Sequence, residues 1–146
     1  MPNPFVYYRM RPGAVTKRNP RFPVSGLDWR RDLAAIRRFY ARFTDTPIDP
    51  DTLDPTVGNP LAILLEGEVV SFAIPLSLRE GEIEIGGVAT VPECRNRGYC
   101  QVLIAEMARR ILEQGLTAVL TTHRDNLPMR AAAEAAGMER FSRGAE

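Results

Sequence analysis

The sequence contains little cysteine and histidine, and almost no lysine. Its 146 residues include two cysteines, Cys94 and Cys100, and one histidine, His123. Two cysteines cannot build a disulfide framework, and they supply too few ligands for a four-ligand zinc site. Eighteen of the nineteen basic residues are arginine. We therefore expect neither a metal site nor a fold held together by disulfides.

Long hydrophobic runs are also missing. The longest is Leu61–Leu65, far short of the roughly 20 apolar residues of a membrane-spanning helix. The N-terminus lacks the basic-then-apolar layout of a signal peptide. The composition, 45% hydrophobic and 25% charged, is typical of globular proteins. The sequence therefore predicts one domain over residues 1–146, cytoplasmic and without a membrane partner.

The net charge is only +1, but it is unevenly distributed. Residues 1–42 hold ten basic residues against two acidic ones, whereas residues 43–93 hold ten acidic residues against Arg79 alone. This asymmetry indicates either an anion site and a cation site or merely a solvated surface. Sequence-independent nucleic-acid binding needs concentrated positive charge, so the balance argues against a nucleic-acid partner.

Hydrophobic periodicity places strands and helices along the chain. Strands are predicted at Phe5–Met10, Leu61–Leu65, Val69–Leu78, Glu82–Val91, Thr117–Thr122 and Met138–Ser142. Helices are predicted at Leu27–Phe43, with Asp28 near its start, and at Gly98–Leu112 and Leu127–Ala136. Pro75 inside a strand predicts a bulge there, because proline cannot donate to a sheet ladder.

The order of these elements predicts a mixed α+β fold. Three consecutive strands joined by short turns form an antiparallel meander, and a strand–helix–strand unit follows. We expect a predominantly antiparallel sheet with a splayed parallel strand pair, flanked by helices.

The connection between the fourth strand and the second helix carries the strongest functional signal. Arg95, Arg97 and Gly98 lie where a strand turns directly into a helix. Free N–H groups at a helix N-terminus bind phosphates, glycine permits close backbone approach, and arginines add charged donors. The segment is neither a Walker loop nor a GxGxxG turn. An ordinary turn with exposed arginines is the alternative.

The segment VATVPECRNRGYCQVLIAEM, residues 88–107, resembles the acetyl-CoA-binding motif of the GNAT superfamily of N-acetyltransferases. Residues 95–100 fit the family's Gln/Arg-x-x-Gly-x-Gly/Ala loop except at Cys100. Asn126 and the later Gly137-Met138 resemble the family's Asn…Gly-Phe ending. The resemblance covers about residues 82–138, and the first 60 residues carry no motif.

The resemblance implies acetyl-CoA as acyl donor, no metal, and a role for each matching residue. The backbone of residues 88–90 would pair with the pantetheine amides, the N–H groups of residues 96–101 would wrap the pyrophosphate, and Asn126 would bond the cofactor from the far side. The implied cofactor-binding residues are Val88, Ala89, Thr90, Arg95, Asn96, Arg97, Gly98, Tyr99, Cys100, Gln101 and Asn126.

Two departures from the family pattern bear on the chemistry. Cys100 replaces a small Gly or Ala, and is either a small buried filler or, at a helix N-terminus, a reactive thiol. Ala133 lies seven residues after Asn126, where the family often has a tyrosine that protonates the departing thiolate. The usual general acid is therefore missing.

Glu84 is the candidate general base. It lies eleven residues before Arg95, where several family members hold a glutamate that deprotonates the amine through water. Strict strand alternation would put Glu84 on the same face as Val88 and Thr90, towards the cofactor arm. A solvent-facing strand glutamate is the alternative. His123 follows the next strand and is either structural or within reach of the cleft.

The expected function is transfer of acetyl from acetyl-CoA to a primary amine of a small molecule or peptide, by direct attack. A non-catalytic acyl-CoA-binding or regulatory module is the alternative, because the tyrosine is missing. The connection after the first predicted helix contains four carboxylates, those of Asp45, Asp49, Asp51 and Asp54. Their negative charge favours a cationic acceptor. Only nine residues follow Gly137, so the last sheet position is either empty or filled by a second copy in a homodimer.

Overall fold

A computed structural model of the chain describes residues 3–16, 22–42 and 58–143. Within these ranges it contains seven strands and three helices. In chain order these are β1 (Phe5–Met10), β2 (Ser25–Gly26), α1 (Leu33–Tyr40), β3 (Leu61–Leu65), β4 (Glu68–Leu76), β5 (Glu82–Thr90), α2 (Tyr99–Glu113), β6 (Thr117–His123), α3 (Leu127–Ala136) and β7 (Glu139–Phe141). A 3-10 turn at Pro92–Cys94 lies between β5 and α2.

The strands form one sheet in the order β2-β3-β4-β5-β6-β1-β7. Every neighbouring pair is antiparallel except β5 and β6, which run parallel. Their pairing covers only Glu82–Glu84 against Thr117–Val119, so the two strands part beyond Glu84. The predicted mixed α+β class and the splayed parallel pair are confirmed.

Most predicted boundaries lie within two residues of the observed ones, and β1, β3 and α3 match at both ends. The two-residue strand β2 was not predicted. The chain after Gly137 supplies β7, which pairs with β1 and occupies the outer sheet position. The homodimer stays a prediction.

The first helix is shorter than the predicted Leu27–Phe43, whose end at Phe43 lies outside the described residues. Asp28 Oδ1 accepts hydrogen bonds from the backbone N–H groups of Arg30 and Arg31 at 2.9 and 2.8 Å. Asp32 Oδ2 accepts from the N–H of Asp28 at 2.8 Å. These bonds close a turn ahead of the helix, so Asp28 caps that turn and α1 starts later.

The bulge predicted at Pro75 is wrong in position. Pro75 pairs regularly with Ile85, and the irregularity in the β4–β5 register lies between Phe72 and Ile74. The last residue of β4 paired with β3 is Ala73. Pro75 therefore lies where β4 has no ladder on its β3 side, and proline is tolerated at such a place.

Phe72 organises the packing of α1 on one face of the sheet. The Phe72 side chain is fully buried. Its ring centroid lies 6.1 Å from that of Trp29, 5.5 Å from that of Phe39 and 5.5 Å from that of Tyr40. The opposite face is covered by α2 and α3, with buried side chains that include Leu103, Ile104, Ala108 and Ala133.

Replacing Phe72 with alanine should lower the free energy of unfolding by about 3–5 kcal/mol, because the cavity would open among three aromatic rings. Urea denaturation of the two proteins measures this difference. The control is Val15→Ala, since Val15 is 87% exposed and such surface changes stay within about 0.5 kcal/mol. Equal losses for both variants would contradict the assignment of Phe72 as the centre of this packing.

Candidate functional site

A cleft of about 780 Å³ lies on the face of the sheet that carries α2 and α3. We call it the α3 cleft. Its walls are the end of β5, the loop before α2, the first turn of α2 and one side of α3. The lining residues are Val88, Ala89, Thr90, Cys94, Arg95, Asn96, Gly98, Tyr99, Cys100, Gln101, Asn126, Pro128, Met129, Ala131, Ala132 and Ala135.

This cleft brings together all but one of the sequence-predicted cofactor-binding residues. Arg97 is the exception, because it does not line the cleft. Its Nη2 instead donates to the carbonyl of Glu93 at 3.3 Å, within the preceding turn. This contact supports a role for Arg97 in the loop's own structure, and its role in cofactor binding stays a prediction.

The N-terminus of α2 opens into the α3 cleft and forms a cradle of backbone N–H groups. Gly98 is the N-cap, with φ of +84° in the left-handed region, and no side chain of the described residues caps the helix there. The first N–H groups of an uncapped helix have no intrahelical acceptor, and the helix dipole makes this end positive. A phosphate group is the natural ligand of such an end.

Hydrogen bonds fix this cradle to the end of β5. Arg95 Nε donates to the carbonyl of Thr90 at 3.1 Å. The Thr90 hydroxyl lies 2.8 Å from Ser71 Oγ and 3.2 Å from Cys100 Sγ. Cys100 is half-buried, and this contact supports its reading as a small filler that joins the strand to the helix.

α3 presents no proton donor to the cleft on its own side chains. Pro128, Met129 and three alanines form this wall, and Asn126 caps the helix by accepting from the N–H of Met129 at 3.3 Å. Ala133 is fully buried and is not among the lining residues. The side chains of this wall therefore agree with the expectation that α3 supplies no general acid.

A second pocket, of about 390 Å³, contains Glu84 and is here called the Glu84 pocket. Thr121 Oγ1 donates to Glu84 Oε1 at 2.8 Å, across the place where β5 and β6 begin to part. The lining residues are Tyr7, Leu78, Arg79, Glu82, Glu84, Thr121 and Arg143.

The expectation that Glu84 shares a face with Val88 and Thr90 is wrong. Between two successive ladder pairs, β4 advances two residues, from Phe72 to Ile74, whereas β5 spans three, from Ala89 to Gly86. One extra residue in a strand reverses the faces of all that follow it. Glu84 therefore lies opposite Leu76, on the α1 face.

The contacts of Thr90 confirm the opposite orientation for the far end of β5. Its hydroxyl bonds Ser71 and the α2 residue Cys100, so it points to the α2 face. The α3 cleft and the Glu84 pocket thus lie on opposite faces of the sheet, beside the same opening between β5 and β6.

A partly buried ion pair lines the Glu84 pocket. Arg143 donates to both carboxylate oxygens of Glu82, at 2.7 and 3.0 Å, and the two side chains are 13% and 24% exposed. The guanidinium also lies 4.9 Å from the ring centroid of Phe141. The hydrogen bonds from Arg143 hold the pKa of Glu82 below its usual value.

Sequence reasoning missed Tyr7, Thr121 and Arg143 as site residues. They lie on three strands or strand ends far from Glu84 in the chain, and no local motif marks them. His123 lines neither the α3 cleft nor the Glu84 pocket; its Nδ1 accepts from the N–H of Asp125 at 3.1 Å. This contact supports the structural reading of His123.

Asp45, Asp49, Asp51 and Asp54, on which the expected cationic acceptor depends, lie outside the described residues. Over the ranges that the structure covers, no group of three or more His, Cys, Asp or Glu side chains could hold a metal ion. In the same ranges, no helix has the length and apolar character needed to cross a bilayer.

Comparisons with known proteins were made for both the sequence and the fold. A sequence profile of the Acetyltransferase (GNAT) family matches residues 27–138. A search of curated proteins found no match. Among solved structures, a GNAT-family protein from Novosphingobium aromaticivorans superposes with a TM-score of 0.74 and 19% identity, covering 94% of this chain and 60% of its own.

Two further structures have named activities. The ribosomal-protein-S18-alanine N-acetyltransferase of Escherichia coli gives a TM-score of 0.64 at 20% identity, covering 82% of this chain and 79% of its own. AAC(6')-Iy, bound to the bisubstrate analog CoA-S-monomethyl-acetylneamine, gives a TM-score of 0.67 at 18% identity. The match covers 84% of this chain and 93% of AAC(6')-Iy. The chain spans only 52–60% of the first three structural neighbours.

Removing the Glu82–Arg143 pair should destabilise the protein in a pH-dependent way. The folded-state pKa of Glu82 is lowered from 4.5, so the pair stabilises the fold above that value. The contribution is lost as the pH falls through the lower folded-state pKa. The difference in Tm between wild type and Arg143→Gln should therefore be largest near pH 7 and shrink below about pH 4.5.

Part of the Tm difference between wild type and Arg143→Gln should persist at low pH, because the stacking of Arg143 on Phe141 does not depend on the charge of Glu82. The control is Arg38→Gln, whose pair with Glu68 is more exposed, at 55% and 46%, and is expected to contribute little. A constant Tm difference for Arg143→Gln between pH 3 and 7 would contradict the assigned role of the pair.

Proposed function

The chain belongs to the Acetyltransferase (GNAT) family, and we propose that it transfers the acetyl group of acetyl-CoA to a primary amine of a small molecule or peptide. The observation that carries the proposal is the uncapped N-terminus of α2, which opens into the α3 cleft beside the exposed backbone edge of β5. This arrangement suits a long ligand with phosphate groups at one end and amides at the other.

The residues of the α3 cleft would bind two parts of acetyl-CoA, its pyrophosphate and its pantetheine arm. The N–H groups around Gly98 would bind the pyrophosphate. The backbone of residues 88–90, which β6 leaves unpaired, would accept the pantetheine amides as an added strand. Asn126 and the small side chains of α3 would form the opposite wall. When bound, acetyl-CoA supplies an activated acyl carbon and a thiolate leaving group.

Glu84 is proposed as the general base on the acceptor side of the opening. An amine must lose a proton before it can attack, and Glu84 has one carboxylate oxygen fixed by Thr121, which leaves the other to accept that proton, directly or through water. A positioned base contributes roughly 10²–10⁴-fold to the rate. The carboxylate approaches from the face opposite the phosphate cradle, so an acceptor in the Glu84 pocket and a donor in the α3 cleft would meet at the opening.

The acceptor is proposed only as an amine. The charged side chains lining the Glu84 pocket are two glutamates and two arginines, so this pocket by itself does not favour a cation. The expectation of a cationic acceptor rests on the four aspartates outside the described residues and stays a prediction.

A non-catalytic acyl-CoA-binding module remains the second candidate, because the α3 wall offers no proton donor to a departing thiolate. Binding of acetyl-CoA without release of free thiol, in the presence of a panel of amines, would favour the module. Thiol release that depends on the amine would favour the enzyme.

Acetyl-CoA should bind the wild type and raise its Tm by mass action, and Gly98→Asp should abolish both effects. The new carboxylate would lie against the pyrophosphate. The matched control is Gly115→Asp, because Gly115 also has a positive φ, +77° against +84°, and neither position has atoms within 4 Å of an added Cβ. Of the two variants, only Gly115→Asp should bind acetyl-CoA in calorimetry. The absence of heat with the wild type would overturn the proposal.

Glu84→Gln should lower kcat by roughly 10²-fold or more while leaving the affinity for acetyl-CoA nearly unchanged. The deficit should shrink at high pH, where more of the amine is already neutral. The control is Glu80→Gln, an equivalent change at an exposed turn residue. Thiol release measured from pH 6 to 10 gives both profiles. Equal activity of Glu84→Gln and wild type at pH 7 would remove Glu84 from the mechanism.

A further inference from the structure

Tyr40, the last residue of α1, has its ring fixed by aromatic neighbours. Its ring meets those of Phe39 and Phe72 edge-to-face, with centroid separations of 5.3 and 5.5 Å and interplanar angles of 88° and 86°. Such contacts hold a ring in one orientation. The position of its hydroxyl is therefore set by the packing of α1 on β4.

The Tyr40 hydroxyl reaches the irregular part of β5. Gly87 lies in the left-handed region with φ of +56°, and a Cβ built on it would be 3.6 Å from the Tyr40 hydroxyl oxygen and 3.0 Å from Ile74 Cδ1. The tight contact is with Ile74, whereas 3.6 Å is an ordinary van der Waals distance, so the phenol oxygen lies close to the backbone of the bulge. The bulge is also where β5 has parted from β6.

The hydroxyl has no hydrogen-bond partner among the described residues. In that part of the chain, no buried side-chain oxygen or nitrogen is left without a partner, so the unpaired Tyr40 oxygen must be accessible from outside. Burial of the ring raises the pKa of Tyr40 to about 12. The phenol therefore keeps its proton throughout the pH range in which amines are acetylated, and it is available as a hydrogen-bond donor.

We propose that the Tyr40 hydroxyl donates a hydrogen bond to the carbonyl oxygen of the acyl group during transfer. The inference rests on the proposed function. If the pantetheine amides pair with residues 88–90, the acyl group lies next along β5 towards the closed end of the opening, which is beside Gly87. Among the described residues, the α1 face brings the Tyr40 oxygen to that position.

The Tyr40 hydroxyl would donate its hydrogen bond to the atom on which negative charge develops during the reaction. The amine nitrogen forms a bond to the acyl carbon, its proton passes to Glu84, the C–S bond breaks and its electron pair leaves with sulfur. Negative charge grows on the carbonyl oxygen as the N–C bond forms, and a fixed donor in a partly desolvated place stabilises it. Tyr40 keeps its own proton throughout, which distinguishes it from a general acid.

Tyr40→Phe tests this role because it retains the ring and its packing. We expect kcat to fall by about 10²-fold, as for the loss of one such donor in other enzymes, with the KM for acetyl-CoA within about threefold and Tm unchanged. The matched control is Tyr8→Phe, which removes a core hydroxyl bonded to Arg130, and kcat should stay near that of the wild type. A kcat within about twofold of wild type for Tyr40→Phe would overturn the proposal.

A second measurement does not depend on turnover. The full chain is labelled with ring-13C tyrosine, and the Tyr40 signal is identified by its absence in Tyr40→Phe. A CoA thioether that carries a ketone in place of the thioester should shift this signal, whereas free CoA should shift it much less. Binding of the analogue without a change in the Tyr40 signal would overturn the proposal, even if no acceptor amine were found.

Failure of the analogue to bind at all, seen as no change in any tyrosine signal and no heat, would instead overturn the proposed function and the Tyr40 role with it. The two failures are therefore distinct. Only a Tyr40 shift on analogue binding, together with reduced kcat wherever turnover is measured, supports the inference.

Discussion

β5 contains one residue more than β4 between their pairs at Phe72–Ala89 and Ile74–Gly86, and the functional architecture depends on this mismatch. The extra residue reverses which side chains point to each face, so the two ends of one strand serve opposite sides of the sheet. It also lies where β5 has separated from β6. The separation leaves backbone N–H and C=O groups of β5 unpaired on the β6 side, in the middle of the sheet.

The two faces carry complementary electrostatics as a result. On the α2 face, an uncapped helix end and Arg95 lie at the cradle, which suits an anionic ligand. On the α1 face, Glu84 lies in its own pocket, and Arg143 pairs with Glu82 so that the adjacent carboxylate is compensated. A carboxylate beside this helix end would weaken anion binding there, and the sheet lies between the helix end and Glu84.

The aromatic packing around Phe72 links the core to the same region. Trp29, Phe39 and Tyr40 surround one ring on β4, and the last of these places its hydroxyl against the bulge. A change in the core at Phe72 would therefore alter both stability and the position of a group at the opening. The Gly87 backbone, which tolerates no ordinary side chain without movement of Ile74, completes this arrangement.

The sequence by itself determined most of the elements, their order and the position of the loop proposed to bind phosphate, because periodicity, turn residues and a contiguous motif are local properties of the chain. Nearly all the residues predicted around the α3 cleft lie within one segment, and they line it. Only the tertiary structure decided the face of Glu84. Gly86 and Gly87 inside β5 are compatible with a bulge, but the register that reverses the face is fixed by the pairing of β5 with β4. It also decided the surroundings of Glu84. Sheet pairing brings Thr121 to within hydrogen-bond distance of Glu84, and the chain after β7 brings Arg143 into the same pocket, where it pairs with Glu82.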